Sequence, residues 1–195
     1  QLTRGEKTAN QPRWSPDGRA VAFVSSRSGK GNVWVLPMAG GEAEQLTDVK
    51  SGVQSYDWSP DGRMVAFAAP VAASDSEEAA VKRRDDQRVV GRNVKMVQLW
   101  VVSVARDSAG RREARALTDT LRSVDGAVDW SPDGRFIAYS HVSTPLADDW
   151  PTADLATVEV ATGRVTPVAA TGAAETQPRF SPDGRWIAYV ASDLP

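Results

Sequence analysis

Two features of the sequence limit the catalytic chemistry available to the chain. There is a single histidine, His141, and there is no cysteine. A Ser-His-Asp triad needs a histidine between its nucleophile and its carboxylate, so any triad built from this chain would have to use His141. A lone histidine just past a strand is more typical of a structural position, and thiolate chemistry is excluded. We therefore expect no catalytic residue here.

Four aspartates recur in one local context, Ser-Pro-Asp-Gly-Arg, and a repeated carboxylate can indicate a metal site. The same context is turn chemistry, because proline presets φ near −65°, aspartate tolerates the next position and glycine takes the left-handed conformation. Turn formation explains all four positions together with their neighbours, so we predict neither a metal site nor a cofactor. The predicted turn residues are Pro16, Asp17, Gly18, Pro60, Asp61, Gly62, Pro132, Asp133, Gly134, Pro182, Asp183 and Gly184.

These turns lie inside a longer repeat that occurs four times. Short aromatic and β-branched runs flank each turn, so each copy predicts a strand, a tight turn and a second strand. After the turn, large residues alternate with a recurring alanine, which suits sheets stacked face to face. The aromatic residues before the turn then belong to the core between sheets rather than to a stacking ladder for a ligand. The copies are Trp14–Phe23, Trp58–Phe67, Trp130–Tyr139 and Phe180–Tyr189.

Two weaker strands, joined by a glycine-bearing turn, follow three of the four hairpins. Four antiparallel strands in a unit of about forty residues are typical of the blade of a β-propeller. The predicted fold is therefore all-β: a single domain, residues 1–195, forming a partial, open β-propeller of four-stranded antiparallel blades. The predicted parts are the last strand of a preceding blade at 1–5, blades at about 10–48, 53–119 and 126–169, and an incomplete blade at 176–195.

The second predicted blade carries an insertion. The turn serines Ser15 and Ser59 are 44 residues apart, whereas Ser59 and Ser131 are 72 apart. The additional residues fall between the second and third strands, at about 70–97. Helix-forming residues with acidic side chains first and basic ones later favour a short helix in its first half. A solvated, charged loop is the alternative.

The composition fits a soluble globular β protein and gives no electrostatic indication of an anionic partner. The chain is 41% hydrophobic and 25% charged, with a formal net charge of −2. This near-neutral balance predicts binding to neither nucleic acid nor an anionic membrane surface. No apolar run approaches the length of a membrane span.

The repeat Ser-Pro-Asp-Gly-Arg-x-Ile-Ala-Tyr resembles the propeller repeat of the prolyl oligopeptidase family of serine peptidases, and also that of the periplasmic Tol-system propellers. The insertion favours the first family. Its segment 82–95, which runs into Leu-Trp-Val-Val at 99–102, is similar to the blade insertion of acylaminoacyl-peptidase-like members. There, too, a basic segment with paired aspartates precedes Leu-Trp-Val-Val.

The resemblance implies a non-catalytic role for this chain. In that family the triad lies on a separate α/β-hydrolase domain with a Gly-x-Ser-x-Gly nucleophile motif, and that motif does not occur here. The propeller would cap the active site and screen peptides by access. Expected partners are then the parent α/β-hydrolase domain and peptides, with a cytoplasmic location in a bacterium. The rival interpretation is a Tol-like, periplasmic module that binds proteins or peptides.

Charged residues of the insertion are the candidates for contact with substrate. Paired glutamates resemble the Glu-Glu pair that binds a peptide's free amine in dipeptidyl-peptidase relatives, and guanidinium groups suit carboxylates. The alternative is a solvated charged loop without a binding role. The candidate substrate-gating residues are Glu77, Glu78, Arg83, Arg84, Arg88 and Arg92.

A propeller with too few blades leaves two of its sheet faces uncovered. The faces next to Trp14 and Trp186 would be exposed, together with an unpaired edge near Ile187. Exposed apolar faces and edges drive association. We therefore expect self-association, most simply as a two-fold dimer.

Overall fold

The computed structural model describes residues 8–85 and 93–192, and the strand predicted at 1–5 lies outside this part of the chain. The described residues form three four-stranded antiparallel sheets and one two-stranded sheet, each with its strands in sequence order. The first blade contains β1 (Ala9–Trp14), β2 (Ala20–Ser25), β3 (Asn32–Pro37) and β4 (Glu44–Gln45). The second contains β5 (Ser55–Trp58), β6 (Met64–Pro70), β7 (Val97–Ser103) and β8 (Ala114–Ala116).

The remaining strands form a third blade and a hairpin. The third blade contains β9 (Ser123–Trp130), β10 (Phe136–Val142), β11 (Asp154–Glu159) and β12 (Val165–Ala169). The hairpin contains β13 (Ala174–Phe180) and β14 (Ile187–Ser192). The helix predicted in the insertion is present as α1 (Asp75–Lys82), and a short 3-10 helix (Ala147–Thr152) precedes β11.

The four Ser-Pro-Asp-Gly turns have the predicted backbone and share one side-chain network. In the first turn, Gly18 has φ +70° and its N–H donates to the carbonyl of Ser15. The hydroxyl of Ser15 donates to Asp17 Oδ1 (2.7 Å), and the same oxygen accepts the N–H of Arg19 (3.0 Å). The other three turns repeat these bonds at Asp61, Asp133 and Asp183. The aspartates therefore close the turns, as the sequence predicts.

Successive blades pack face to face, and the turns stack with them. A Cβ on Gly62 would lie 3.5 Å from the ring of Pro16, and one on Gly184 would lie 3.6 Å from Pro132. Between the first two blades, Trp58 packs in a cluster with Ala22 and Val33 of the preceding sheet. Repetition of the same contacts from blade to blade extends the core along the stack.

The outermost strands of the first two blades are short, and β4 ends at Gln45. The reason is that the hydroxyl of Thr47 accepts the N–H of Val33 (2.9 Å) in place of a backbone carbonyl. Thr118 does the same for the N–H of Leu99 (3.0 Å) in the second blade. In both blades the threonine side chain thus takes the place of the next backbone hydrogen bond, and the outer strand ends there. Strand propensity does not predict this.

Residues at equivalent positions of the repeat differ in exposure according to whether a neighbouring sheet covers them. Trp58 is 7% exposed and Trp130 is 6% exposed, whereas Trp14 is 60% exposed. The assignment of these aromatic residues to the core between blades is therefore correct for Trp58 and Trp130, and wrong for Trp14 in the described chain. Trp186, in the hairpin, is also exposed. Self-association through these faces stays a prediction.

Candidate binding surface on the inner strands

The first strands of the sheets lie side by side and border an open hollow. Three of the hydrogen bonds between these strands lie at the hollow. The hydroxyl of Tyr56 donates to the carbonyl of Gln11 (2.6 Å), the amide of Gln11 donates to that of Gln54 (3.1 Å), and the hydroxyl of Ser55 donates to that of Gly126 (2.8 Å). The hollow has a volume of about 470 Å³. Its lining residues are Gln11, Pro12, Arg13, Gln54, Ser55, Gly126 and Ala127.

The first strands β1, β5, β9 and β13 are the inner strands of the sheets. Three of them are bulged near the hollow. The register shifts in β1, β9 and β13, and a residue near each shift has positive φ: Gln11 (51°), Gly126 (69°) and Gln177 (55°). The bulge in β9 also accounts for a strand that begins at Ser123 rather than near 126. Positive φ is costly for glutamine, and such strain is concentrated at functional sites. Two glutamines held this way on equivalent strands make the inner surface the strongest candidate site.

A row of ionic groups crosses the same strands. The residue before the recurring aromatic is Arg13 in β1, Asp57 in β5, Asp129 in β9 and Arg179 in β13. Arg13 Nη1 lies 3.4 Å from Asp57 Oδ1. Arg179 Nη1 donates to Asp129 Oδ1 (2.8 Å), and the backbone N–H of Phe180 donates to Asp129 Oδ2 (2.7 Å). Each carboxylate thus joins its own blade to a neighbouring one.

The two carboxylates differ in how well they are compensated. Burial raises the pKa of Asp57 above its ordinary value of 3.8, and the nearby Asp129 charge adds to this effect, while Arg13 and Arg179 oppose it. Asp129, in contrast, accepts two short hydrogen bonds, one of them from a guanidinium group. Asp129 is therefore well hydrogen-bonded, whereas burial disfavours the ionised form of Asp57.

The groups that border the hollow suit binding rather than bond cleavage. They are an amide, a hydroxyl, a guanidinium group and backbone carbonyls, all of which can hydrogen-bond to an extended peptide. No cluster of three His, Asp or Glu side chains able to hold a metal ion occurs within residues 8–85 and 93–192. The groups on this surface are therefore of the kinds that can recognise polar or backbone groups.

The structure places Glu77 within the framework of the insertion. Ser74 and Glu77 form a capping box at the start of α1. Lys95 Nζ donates to both carboxylate oxygens of Glu77, at 2.8 and 2.7 Å. The hydrogen bond from Lys95, followed by those from Ser74, lowers the pKa of Glu77 to about 2. This carboxylate therefore ties the helix to the residue that leads into β7.

The other candidate gating residues lie on or beyond α1, which buries none of its residues. Glu78 is on the helix, Arg83 is its C-cap, and Arg84 has φ +59°. Arg83 and Arg84 are exposed. Arg88 and Arg92 lie outside the described residues. None of the candidates that the structure describes borders the hollow, so the insertion and the inner surface are separate features.

His141 lies in β10, where its register partners are Val124 and Asp154. Its ring is 5.9 Å from that of Tyr139, and its Nδ1 is buried without a hydrogen-bond partner in the described part of the chain. Burial lowers the pKa of His141 below its ordinary value of 6.5, while Asp154 opposes the shift and Arg122 adds to it. Its place in the sheet therefore favours the neutral form of the ring.

Replacement of His141 by glutamine should reduce the loss of unfolding free energy that occurs as pH falls below about 6.5. Because its pKa is lower in the folded protein, the stabilising contribution of neutral His141 is complete above about 6.5 and is lost as pH falls through the folded value. The chain has no other histidine, so this effect is isolated from most other titrations. Urea midpoints of both proteins at pH 5 to 8 test this, and an unchanged slope in the variant would contradict the assignment.

Comparison with known proteins gives relatives over almost the whole chain. No family model matches the sequence. The chain is 29% identical over 192 residues to the uncharacterized peptidase YuxL of Bacillus subtilis, covering 97% of this chain and 23% of that protein. It is 24% identical over 214 residues to dipeptidyl-peptidase 5 of Porphyromonas endodontalis, covering 98% of this chain and 31% of that protein. The chain thus spans less than a third of each of these relatives.

Solved structures give the architecture. TolB from Acinetobacter baumannii superposes with a TM-score of 0.63 at 18% identity, over 96% of this chain and 39% of that chain. The fold is a partial β-propeller. Within the described residues of this propeller, no helix has the length and apolar character needed to cross a membrane.

Sequence reasoning missed the polar residues of the propeller's inner strands. A signal was present, because Gln-Pro-Arg occurs at 11–13 and again at 177–179. In both places the glutamine has positive φ and the arginine pairs with an aspartate of an adjacent blade. The repeated Gln-Pro-Arg, which lies outside the predicted turns, therefore indicates this surface.

Proposed function

We propose that this chain is the propeller region of a serine peptidase of the prolyl oligopeptidase type, acylaminoacyl-peptidase-like, and that it screens peptides on their way to a catalytic domain. The observation that carries this proposal is the match over 97% and 98% of the chain to two proteins named as peptidases. The whole enzyme's activity and its α/β-hydrolase partner domain belong to the proposal.

The inner surface gives the screening role a physical basis. Propeller blades meet at their inner strands, and here those strands present hydrogen-bonding groups around a hollow of about 470 Å³. An extended peptide can satisfy such groups with its backbone, whereas a folded protein cannot enter. Gln11 and Arg13 are the side chains we assign to peptide contact on this surface.

The insertion gives a second element of the proposed screen. Helix α1 has no fully buried residue and is joined to the chain before β7 through the Glu77–Lys95 ion pair. The exposed guanidinium groups of Arg83 and Arg84 follow the helix directly. We assign them to the carboxylates of acidic or carboxylate-ended peptides.

The test is the effect of these side chains on peptide selection by the parent enzyme. In an enzyme bearing Arg83→Ala and Arg84→Ala, we expect kcat/KM to fall about three- to tenfold for peptides with acidic residues, since exposed charge contacts contribute about 1 kcal/mol each at most. Hydrolysis of neutral dipeptides should be unchanged. Lys82→Ala, a change to a neighbouring basic residue, is the matched control. An unchanged kcat/KM for acidic peptides in the Arg83→Ala/Arg84→Ala enzyme, or an equal fall in the Lys82→Ala enzyme, would overturn the role of the insertion.

A Tol-like binding module is the second candidate, and the structural likeness to TolB favours it. The parent gene separates the two proposals. A downstream domain with Gly-x-Ser-x-Gly supports the peptidase, whereas an upstream export signal with a separate N-terminal domain and no hydrolase would overturn it. The compartment follows the same division, cytoplasmic for the peptidase and periplasmic for the Tol type.

A further inference from the structure

Arg13 is the only charged residue that borders the hollow within the described part of the chain. Its side chain is 39% exposed, and its Nη1 lies 3.4 Å from Asp57 Oδ1 in an ion pair without a hydrogen bond. The guanidinium carbon lies 5.9 Å from the centre of the Tyr56 ring, which holds the group at the border of the hollow. The guanidinium group donates no hydrogen bond to residues 8–85 or 93–192. Its N–H groups are therefore available to a ligand.

A second arginine in the same sequence context is engaged within the protein. Gln-Pro-Arg occurs at 11–13 and again at 177–179. Arg179 Nη1 donates to Asp129 Oδ1 at 2.8 Å. Asp57 is a weaker partner for Arg13, because burial disfavours its ionised form. Among the described residues, Arg13 therefore lacks the hydrogen-bonded carboxylate that its counterpart has.

The hydroxyl groups at the hollow offer a ligand oxygen atoms rather than hydrogens. The hydroxyls of Tyr56 and Ser55 already donate to the carbonyls of Gln11 and Gly126. Their remaining capacity, like that of the carbonyls, is to accept hydrogen bonds. The hollow thus places a cationic donor at Arg13 beside a set of acceptors. A peptide carboxylate, with the backbone N–H groups that precede it, has the complementary order.

The hollow lies between three consecutive blades and not at the first or last face of the stack. Its residues lie in or next to β1, β5 and β9. The blades of a propeller surround a central channel, and their inner strands face it. A ligand in that channel reaches Arg13 from the axis, without the need for an open sheet edge or an uncovered blade face.

We propose that Arg13 binds the carboxylate of a peptide in the hollow and that the ligand replaces Asp57 as the partner of the guanidinium group. This inference rests on the proposed contact between peptides and the inner surface, and it does not require catalysis. Strand β1 runs from Ala9 toward the turn at 16–18, and the insertion lies at the other end of the blades. The rest of the peptide therefore extends past Gln11 toward the end that carries the insertion.

The test measures the binding of two pairs of N-acetylated peptides to the purified, ¹⁵N-labelled chain at pH 7.5. The first pair is trialanine with a free carboxylate and trialanine amide, and the second is Ala-Glu-Ala amide and Ala-Gln-Ala amide. We expect an acid to bind about tenfold more tightly than its neutral partner, with a shift of the Arg13 Nε–H resonance. A preference in the first pair assigns a terminal carboxylate, and one in the second pair assigns an acidic side chain.

The two ways in which this test can fail are distinguishable. Equal Kd values within both pairs would overturn the role of Arg13 and leave peptide contact with the inner surface in place. Absence of saturable binding by all four peptides would overturn both the role of Arg13 and the proposed peptide contact.

Protein variants separate carboxylate binding from a structural role of Arg13. Arg13→Gln should weaken binding of the preferred acid about tenfold and change that of its neutral partner less than about twofold. Arg13→Lys, which keeps the charge and loses the planar fork, should have an intermediate effect. Asp57→Asn should tighten binding of the acid about two- to fivefold, because it removes the competing carboxylate. A purely structural role of Arg13 predicts no such gain.

Arg19→Gln is the matched control, since it makes the same charge change at a turn side chain that is 88% exposed and does not border the hollow. It should leave both Kd values unchanged. All variants should be folded by circular dichroism. Retention of the preference for the acid in Arg13→Gln, or an equal loss in Arg19→Gln, would overturn the proposal.

Discussion

Replacement of Trp58 by alanine is expected to lower the free energy of unfolding by about 3–5 kcal/mol, the range for large-to-small changes of buried aromatic residues. The indole packs between the first and second blades, in a cluster with Ala22 and Val33. Removing it leaves a cavity at the junction of two sheets. Urea or thermal unfolding measures the effect directly.

The repeat supplies a matched control for this variant. Trp14 occupies the same position in the first blade but is mostly exposed, so Trp14→Ala should cost less than about 1 kcal/mol. Trp58→Phe should cost less than Trp58→Ala, because the indole N–H of Trp58 has no hydrogen-bond partner in the described residues and its loss removes an unsatisfied donor. Equal destabilisation by Trp14→Ala and Trp58→Ala would show that the first blade is covered in solution.

Asp129→Asn is expected to destabilise the chain by about 2–3 kcal/mol, because it weakens charge-assisted hydrogen bonds to a guanidinium group and a backbone N–H. Both donors, Arg179 Nη1 and the N–H of Phe180, belong to the hairpin. The change therefore loosens the hairpin from the third blade. Amide hydrogen exchange should show the loss of protection first in residues 174–192.

Asp57→Asn is the control, since Asp57 occupies the equivalent position in the second blade. Its pKa is raised, so its stabilising contribution is complete at acid pH and is lost as pH rises through the folded value. At neutral pH an uncharged isostere should therefore be neutral or stabilising. The urea midpoint of Asp57→Asn should also depend less on pH than that of the wild type between pH 4 and 7. Destabilisation by Asp57→Asn equal to that by Asp129→Asn would show that the Arg13 pair, rather than burial, dominates at Asp57.

The parts of the fold that short-range chemistry determines could be predicted from the sequence. The turns at Pro16–Gly18 and its three counterparts need only four adjacent residues, and the alternation after each turn specifies the faces of the second strand. Helix α1 was predictable for the same reason, because its acidic first turn and its cap lie within a few residues of each other.

The features that could not be predicted join residues far apart in the chain. Glu77 contacts Lys95, which lies 18 residues later in the chain, and Asp129 of the third blade contacts Arg179 of the hairpin that follows it. These pairs depend on how one sheet is rotated against the next, which no local pattern encodes. The inner surface could not be predicted for the same reason, since Gln11 contacts Gln54, and Ser55 contacts Gly126, only after three blades have stacked.

The hydrogen-bonded turns also affect the isomerisation of their aspartates. Aspartate followed by glycine is the dipeptide most prone to isomerise, because the glycine nitrogen attacks the side-chain carboxyl carbon of the aspartate and water leaves, which gives a succinimide. Here each such nitrogen donates to a serine carbonyl, as that of Gly18 does to Ser15, and this hydrogen bond opposes the attack. The serine and backbone bonds that lower the pKa of Asp17, Asp61, Asp133 and Asp183 keep these carboxylates ionised and poorly electrophilic. We therefore expect folding to slow isomerisation at the four Asp-Gly sequences of the repeat. An unfolded chain would lose this protection at all four.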